Sequence, residues 1–189
     1  LDTARSRGWT VRGLDISTAA SEAARGAYSL EVGVGTLEQT PFAPGEFDVL
    51  TLWDVIEHIR RPVENVQAAN RLLRMGGILA MKTPDEASLF KWLARVMYRL
   101  LGKRAAFLLK YVYYIPHYFS YSEQTMTRLL TRGGFEVIAY EKDETPQDFA
   151  SEKIQAHYTM DPRRALVIGL LPAVRWFARL LGRPNKLVV

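Results

Sequence analysis

Apolar positions along the chain change period repeatedly, and the changes alternate between strand-like and helix-like spacing. Thr10 to Leu14 is a short β-prone run closed by Asp15, after which Ser17 or Thr18 can cap an alanine-rich helix to about Arg25, with Gly26 as its stop. Leu30 to Val34 and Phe47 to Trp53 predict two more strands. The second is apolar on both faces, as a buried parallel strand should be. Val63 to Met75 predicts a helix from Val66, Ala69, Leu72 and Leu73, stopped at Gly76-Gly77, and Ile78 to Lys82 a fourth strand. A basic, aromatic helical segment from about Ala87 to Lys110 then breaks the order. Ser122 caps a helix over Glu123 to Thr131, and Phe135 to Tyr140 reads as strand five. A polar connection to about Pro162 leads to an amphipathic helix, roughly Arg164 to Leu181 and bent at Pro172, before a last apolar run at Lys186 to Val189. Alternating strands and helices imply an α/β fold, a doubly wound and mostly parallel sheet covered on both faces. The expected organisation is a single domain over 1–189, with a basic aromatic insertion or cap at 86–121 and an amphipathic C-terminal helix at 163–182.

Composition narrows the chemistry. A chain of 189 residues with 48% hydrophobic and 24% charged residues is an ordinary globular domain. The absence of cysteine removes disulfide scaffolds, cysteine-ligated metals and thiol catalysis together. The longest apolar stretch, Ala165 to Val174, is half of what a spanning helix needs, and no secretory signal follows Leu1. The net charge of +5 hides a segregation. Ala87 to Ser122 and Pro162 to Val189 together carry twelve basic residues and no acid, which leaves thirteen basic against twenty acidic residues elsewhere. Such segments suit an anionic membrane surface or an acidic substrate. They also suit plain solvated helix faces, and no nucleic-acid module accompanies them, so no nucleic-acid partner is expected.

In a doubly wound sheet the informative residues follow the strand ends. Asp15 can accept both hydroxyl protons of a ribose, or merely help cap the next helix. Gly35 lets backbone approach a flat ring, or is a plain turn glycine. Trp53, Asp54, Glu57 and His58 put an aromatic ring, two carboxylates and an imidazole beyond the third strand, and Thr83-Pro84 follows the fourth.

Five words in order carry a family resemblance: Gly13-Leu14-Asp15-Ile16-Ser17; Phe47 to His58 (FDVLTLWDVIEH); Arg71 to Leu79 (RLLRMGGIL); Thr83-Pro84; and His117-Tyr118-Phe119-Ser120 ahead of Gly133-Gly134-Phe135. Over about Val11 to Val137 the chain resembles the class I S-adenosylmethionine (SAM) methyltransferases, in particular the ubiquinone-biosynthesis O-methyltransferase branch. The resemblance implies a Rossmann-like fold, SAM as cofactor, and methyl transfer to a small-molecule or lipid-linked acceptor. It places Asp15 and Ile16 at the ribose, Gly35, Thr36 and Leu37 at the adenine, and Trp53, Asp54 and Val55 along the same pocket. His58 becomes the candidate catalytic base, or else a histidine bonded only to its surroundings. His117, Tyr118 and Tyr121 border the acceptor pocket, or form an aromatic hinge. In the quinone-methylating relatives a Glu-His pair is associated with a divalent metal, and Asp54, Glu57 and His58 could supply mixed ligands, but three residues within five positions do not establish a site and no metal is expected.

The family also requires a glycine-rich loop after a first strand, roughly 20 residues before the ribose carboxylate. No G-x-G-x-G run occurs, and Leu1 to Gly8 reads as the tail of a first helix. The fold is therefore expected to be N-terminally truncated, with its first strand missing, its last strand cut, and weak SAM binding by the isolated chain. Lys91, Arg95, Arg99 and Lys103 at four-residue spacing predict one basic stripe beside an apolar face, a pattern of interfacial helices, so a cytoplasmic enzyme with peripheral membrane association is expected. A non-catalytic membrane-surface or partner-binding domain derived from the same fold is the alternative. A nicotinamide-dependent oxidoreductase is disfavoured, since the fourth residue after Tyr98 is Gly102 rather than lysine.

Overall fold

A computed structural model describes residues 1–113, 116–145 and 163–189. The helices are α1 (Asp2–Ser6), α2 (Thr18–Tyr28), α3 (Pro62–Leu72), α4 (Leu89–Leu101), α5 (Ala106–Val112), α6 (Glu123–Arg132) and α7 (Arg164–Leu180). The strands are β1 (Arg12–Asp15), β2 (Glu31–Val34), β3 (Phe47–Trp53), β4 (Leu73–Pro84), β5 (Glu141–Asp143) and β6 (Lys186–Val188). The α/β class holds. The ladders fall into two sheets, a parallel β1-β2 pair and a four-stranded sheet in the order β3-β4-β6-β5. β3 and β4 are parallel, whereas β6 is antiparallel to both neighbours, so the four-stranded sheet is mixed. Among the described residues β1 pairs only with β2 and β3 only with β4, which leaves each with one edge unpaired there.

One core organises the larger sheet. Leu52, Met81 and Leu187 point to the face where Val66 of α3 and Met126, Leu129 and Leu130 of α6 close over them. Pro62 starts α3, where its missing N–H costs nothing, and a capping box between Ser122 and Thr125 starts α6. The helices meet closely: a Cβ on Gly133 would lie 2.2 Å from Val66 Cγ1 and 3.0 Å from its Cβ. Valine cannot swing away from such an atom. Gly133→Ala is expected to destabilise the fold by about 1–3 kcal/mol in urea titrations; unchanged stability would mean the helices are free to separate.

Several boundaries differ from the sequence pattern. α2 runs through Gly26 to Tyr28. α3 stops at Leu72, and β4 begins at once, with Gly76-Gly77 inside a register shift between its Leu73 and Ile78 pairings rather than at a helix end. Phe135 to Tyr140 is not a strand: β6 pairs with Glu141–Asp143, so the apolar run before them has no ladder. The insertion is α4, a 3-10 turn at Gly102–Ala105, and α5. The polar connection to Pro162 lies outside the described residues from 146 onward. Helices cover one face of the four-stranded sheet, while Thr51, Trp53 and Ile78, which alternate to the other, are exposed; among the described residues the expected covering of both faces is incomplete. The basic stripe also breaks, because Lys91 is buried with Glu86 and Ser120, and Arg95 turns to Glu86.

Candidate functional site

The C-terminal ends of the strands gather the candidate residues from two directions. Asp15 ends β1 with its side chain exposed, and its backbone carbonyl accepts the Gly35 N–H at 2.9 Å. This bond brings the turns after β1 and β2 side by side. Gly35 has φ +149°, a conformation that favours glycine. Oδ1 of Asp15 accepts the Ser17 N–H at 2.8 Å, so the carboxylate also serves the start of α2; Oδ2 remains for another partner. Ile16 beside it is exposed. Thr36 leads into a short 3-10 turn, Leu37–Gln39, whose Leu37 packs on the core of the larger sheet and whose Glu38 accepts a hydrogen bond from Asn65 of α3 at 3.2 Å. Arg12 adds a second link, pairing with Glu46 just before β3. These contacts tether the β1-β2 unit to the larger sheet without a strand between them.

Beyond β3, Trp53 and Val55 are exposed, and Asp54 has φ +53°. Its N–H donates to the Lys82 carbonyl at 2.7 Å, and its carboxylate pairs with Lys186 of β6. Lys186 enters from a strand that follows α7, and nothing in the local pattern after Trp53 signals it. The 3-10 turn Ile56–His58 then buries Glu57. Oε2 of Glu57 accepts the Thr83 hydroxyl at 2.9 Å, while Oε1 is buried without a partner among the described residues. Burial pushes the Glu57 carboxyl above the ordinary range and nearby Asp54 adds to the effect, although its own backbone, Thr83 and Lys186 pull the other way.

The segment after the insertion closes on this turn. Tyr118 and Phe119 donate their backbone N–H groups to the Glu57 carbonyl at 2.8 and 3.3 Å. His58 Nδ1 lies 3.2 Å from the Pro116 carbonyl, which can only accept, so Nδ1 carries the proton and Nε2 keeps the lone pair. The rings of His58 and His117 meet edge to face at 4.7 Å. Ligand atoms of Glu57, His58 and His117 all lie within 4.8 Å of one another. Among the described residues, the set that could hold a cation is therefore Glu57, His58 and His117. Asp54, which the sequence word offered only as a conceivable third ligand, pairs with Lys186 and is not in it. Tyr118 is exposed and receives a hydrogen bond from Arg60 at 3.0 Å, but Tyr121 is a core residue. Its buried hydroxyl has no partner among the described residues, and burial, reinforced by the Glu57 charge, raises its pKa. A separate hollow, lined by Gly77, Leu79, Phe135 and Val137, lies toward the opposite strand ends and holds none of these residues.

Known proteins resemble this chain in sequence and in fold. A ubiquinone biosynthesis O-methyltransferase from Pseudomonas aeruginosa is 36% identical over 84 residues, covering 41% of this chain and 36% of the relative. The chain thus matches about a third of that relative's length. Among solved structures, a SAM-dependent methyltransferase from Archaeoglobus fulgidus superposes with a TM-score of 0.61 at 14% identity, over 99% of this chain and 77% of its own. A Haemonchus contortus phosphoethanolamine N-methyltransferase, solved with phosphomonomethylethanolamine and S-adenosylhomocysteine, gives 0.55 at 18% identity, over 98% and 44%. These two show the fold. The profile described as Methyltransferase domain matches residues 1–140, and with that match over most of its length the chain belongs to the methyltransferase-domain family.

Proposed function

We propose that the chain supplies the ribose, adenine and acceptor walls of a SAM-dependent methyltransferase acting on a small or lipid-like acceptor, reached at a membrane surface. The observation that carries this reading is the bond from the Gly35 N–H to the Asp15 backbone carbonyl, which sets the exposed Asp15 side chain and the Gly35 turn side by side at adjoining strand ends. SAM supplies an electrophilic methyl group on a positively charged sulfur. Asp15 accepts the ribose hydroxyls, Gly35 to Leu37 present backbone to the adenine, and Trp53, Asp54 and Val55 wall the pocket. His58 takes the acceptor proton on Nε2, because Nδ1 is committed to Pro116, while His117 and Tyr118 border the acceptor.

A divalent cation is the alternative use of the same imidazole: with Nδ1 protonated, His58 could ligate only through Nε2, so a bound cation would replace proton abstraction at that nitrogen. The buried, unpartnered Oε1 of Glu57 and two imidazoles form a mixed N/O set suited to zinc, iron or manganese, which would act as a Lewis acid on the acceptor oxygen.

The competing view, a non-catalytic surface-binding domain, draws on the lack of a glycine-rich loop within the 189 residues. Calorimetry with SAM separates the two when performed on this chain and on the chain extended by whatever coding sequence precedes Leu1. We expect the 189-residue chain to bind more weakly than micromolar, because among the described residues no strand joins β1 to β3 and the two halves of the pocket are held by side-chain ties. The extended chain is expected to bind well, and Asp15→Ala to weaken it by about a hundredfold, the loss of two hydrogen bonds to a charged acceptor. An extension with no glycine loop and no SAM binding would overturn the enzymatic reading.

A further inference from the structure

We propose that α4 and α7 together form a docking surface for an anionic lipid bilayer. Each helix buries one cation among its inward apolar residues and exposes a broad apolar side. On α7 the inward side carries Leu171, Ala178 and Arg175, a residue only 9% exposed whose guanidinium bonds to the Thr145 carbonyl at 2.6 Å and to Glu144 at 3.0 Å. The outward side carries Leu166, Leu170 and Phe177, spaced by four and seven residues, with Trp176 beside them at 62% exposure. α4 repeats the scheme. Its Lys91 is 4% exposed, held by Glu86 at 3.1 Å and by Ser120 at 2.9 Å, while Trp92, Leu93 and Leu100 face out. A helix that meets only water does the reverse, turning charge outward and apolar side chains inward.

The two helices act as one face because they are fixed together. Arg183, just beyond α7, donates to the Ala87 carbonyl at 2.9 Å, accepts the Leu89 N–H at 3.1 Å, and sets its guanidinium over the Trp92 ring at 5.8 Å. The charge around this face favours a bilayer over a protein. Both segments are free of acidic residues, and Arg99, Lys103 and Arg104 are exposed where α4 ends. Such a rim suits phosphate headgroups, and exposed tryptophans suit the headgroup boundary. No described helix is long and apolar enough to cross a membrane, so the contact is peripheral. Lys91 and the Glu86 N–H, which donates to the Tyr121 carbonyl at 2.8 Å, connect the face to the segment carrying His117 and Tyr118. The surface would thus bring an amphiphilic acceptor to the site; that purpose, though not the docking itself, rests on the methyltransferase reading.

Co-sedimentation of the 189-residue chain with vesicles tests the proposal, using phosphatidylcholine alone against phosphatidylcholine mixed with phosphatidylglycerol. Binding is expected to the mixed vesicles, weakened by salt and accompanied by a blue shift in tryptophan emission. Leu170→Glu with Phe177→Glu should lower affinity by at least about thirtyfold. Arg99→Glu with Lys103→Glu should lower it by roughly tenfold or more on anionic vesicles only. Circular dichroism checks folding; should the α7 pair unfold, the α4 pair and quenching of Trp176 by brominated lipid decide the matter. A folded chain that ignores both vesicle types, or binds them regardless of either pair, overturns the proposal. So does a dimer that Leu170→Glu dissolves while vesicles go unbound, which would assign the face to a second copy. Vesicle binding needs no SAM, so docking without SAM binding by the extended chain would sink the enzymatic reading and leave this one standing.

Discussion

Glu86→Ala is expected to cost roughly 3–5 kcal/mol of stability near neutral pH, because it strands a buried ammonium. Glu86 accepts hydrogen bonds from Lys91 at 3.1 Å and from the Tyr113 hydroxyl at 2.8 Å, and pairs with Arg95. Lys91 has no other acid within salt-bridge distance among the described residues, and its remaining hydrogen-bond partner is the neutral Ser120 hydroxyl. Burial pushes the Glu86 carboxyl up, but Tyr113, Lys91 and Arg95 outweigh it and hold the group below its ordinary value of 4.5. The folded state therefore binds fewer protons at this site than the unfolded chain does. Its contribution is present above that ordinary value and is lost as pH falls through the folded one. Burial depresses the Lys91 pKa, so the stranded amine in the variant is relieved as pH rises toward its ordinary 10.5. Urea titrations of both proteins should show a gap that is wide near neutrality and narrows in acid; a gap independent of pH would mean that Glu86 acts by shape alone.

Glu57→Gln is expected to weaken cation binding strongly while leaving the fold at least as stable. Glutamine keeps the acceptor for the Thr83 hydroxyl and removes a charge that burial disfavours. The change should be neutral or stabilising by about 1 kcal/mol. Cation affinity, measured by calorimetry or by the visible spectrum of Co²⁺, should fall by a hundredfold or so, since neutral glutamine replaces the one anionic ligand. His117→Ala should weaken binding similarly, whereas Asp54→Asn should not, because Asp54 is engaged by Lys186. Loss of binding on Asp54→Asn with none on His117→Ala would restore the ligand set read from the sequence word alone.

Where side-chain period and turn chemistry act locally, the sequence was legible. β3 begins and ends at the residues its apolar run indicates, and α6 starts at the Ser122 cap for reasons contained in four consecutive residues. Asp15, Gly35 and Trp53 became candidates because ligands in doubly wound folds sit beyond strand ends, and the structure places each of them at or just past the end of a strand. Phe135 to Tyr140 misled because an apolar run signals a strand only if another strand lies beside it. His117 entered the candidate list through resemblance as an acceptor residue; only the fold of the segment onto Glu57 made it a ligand candidate.

The sequence by itself determined the class of fold, the strand ends where chemistry gathers, and the two acid-free segments, since each follows from neighbours in the chain. Tertiary structure decided the partners: Lys186 for Asp54, Thr83 for Glu57, Glu86 for Lys91, and Glu144 for Arg175. Helical spacing shows which side chains share a face but not which face turns to water. In α4 and α7 Glu86 and Glu144 hold a cation inward while apolar side chains stay exposed on the other side; one acid lies five residues from its cation and the other thirty-one, and only the fold shows that either is its partner.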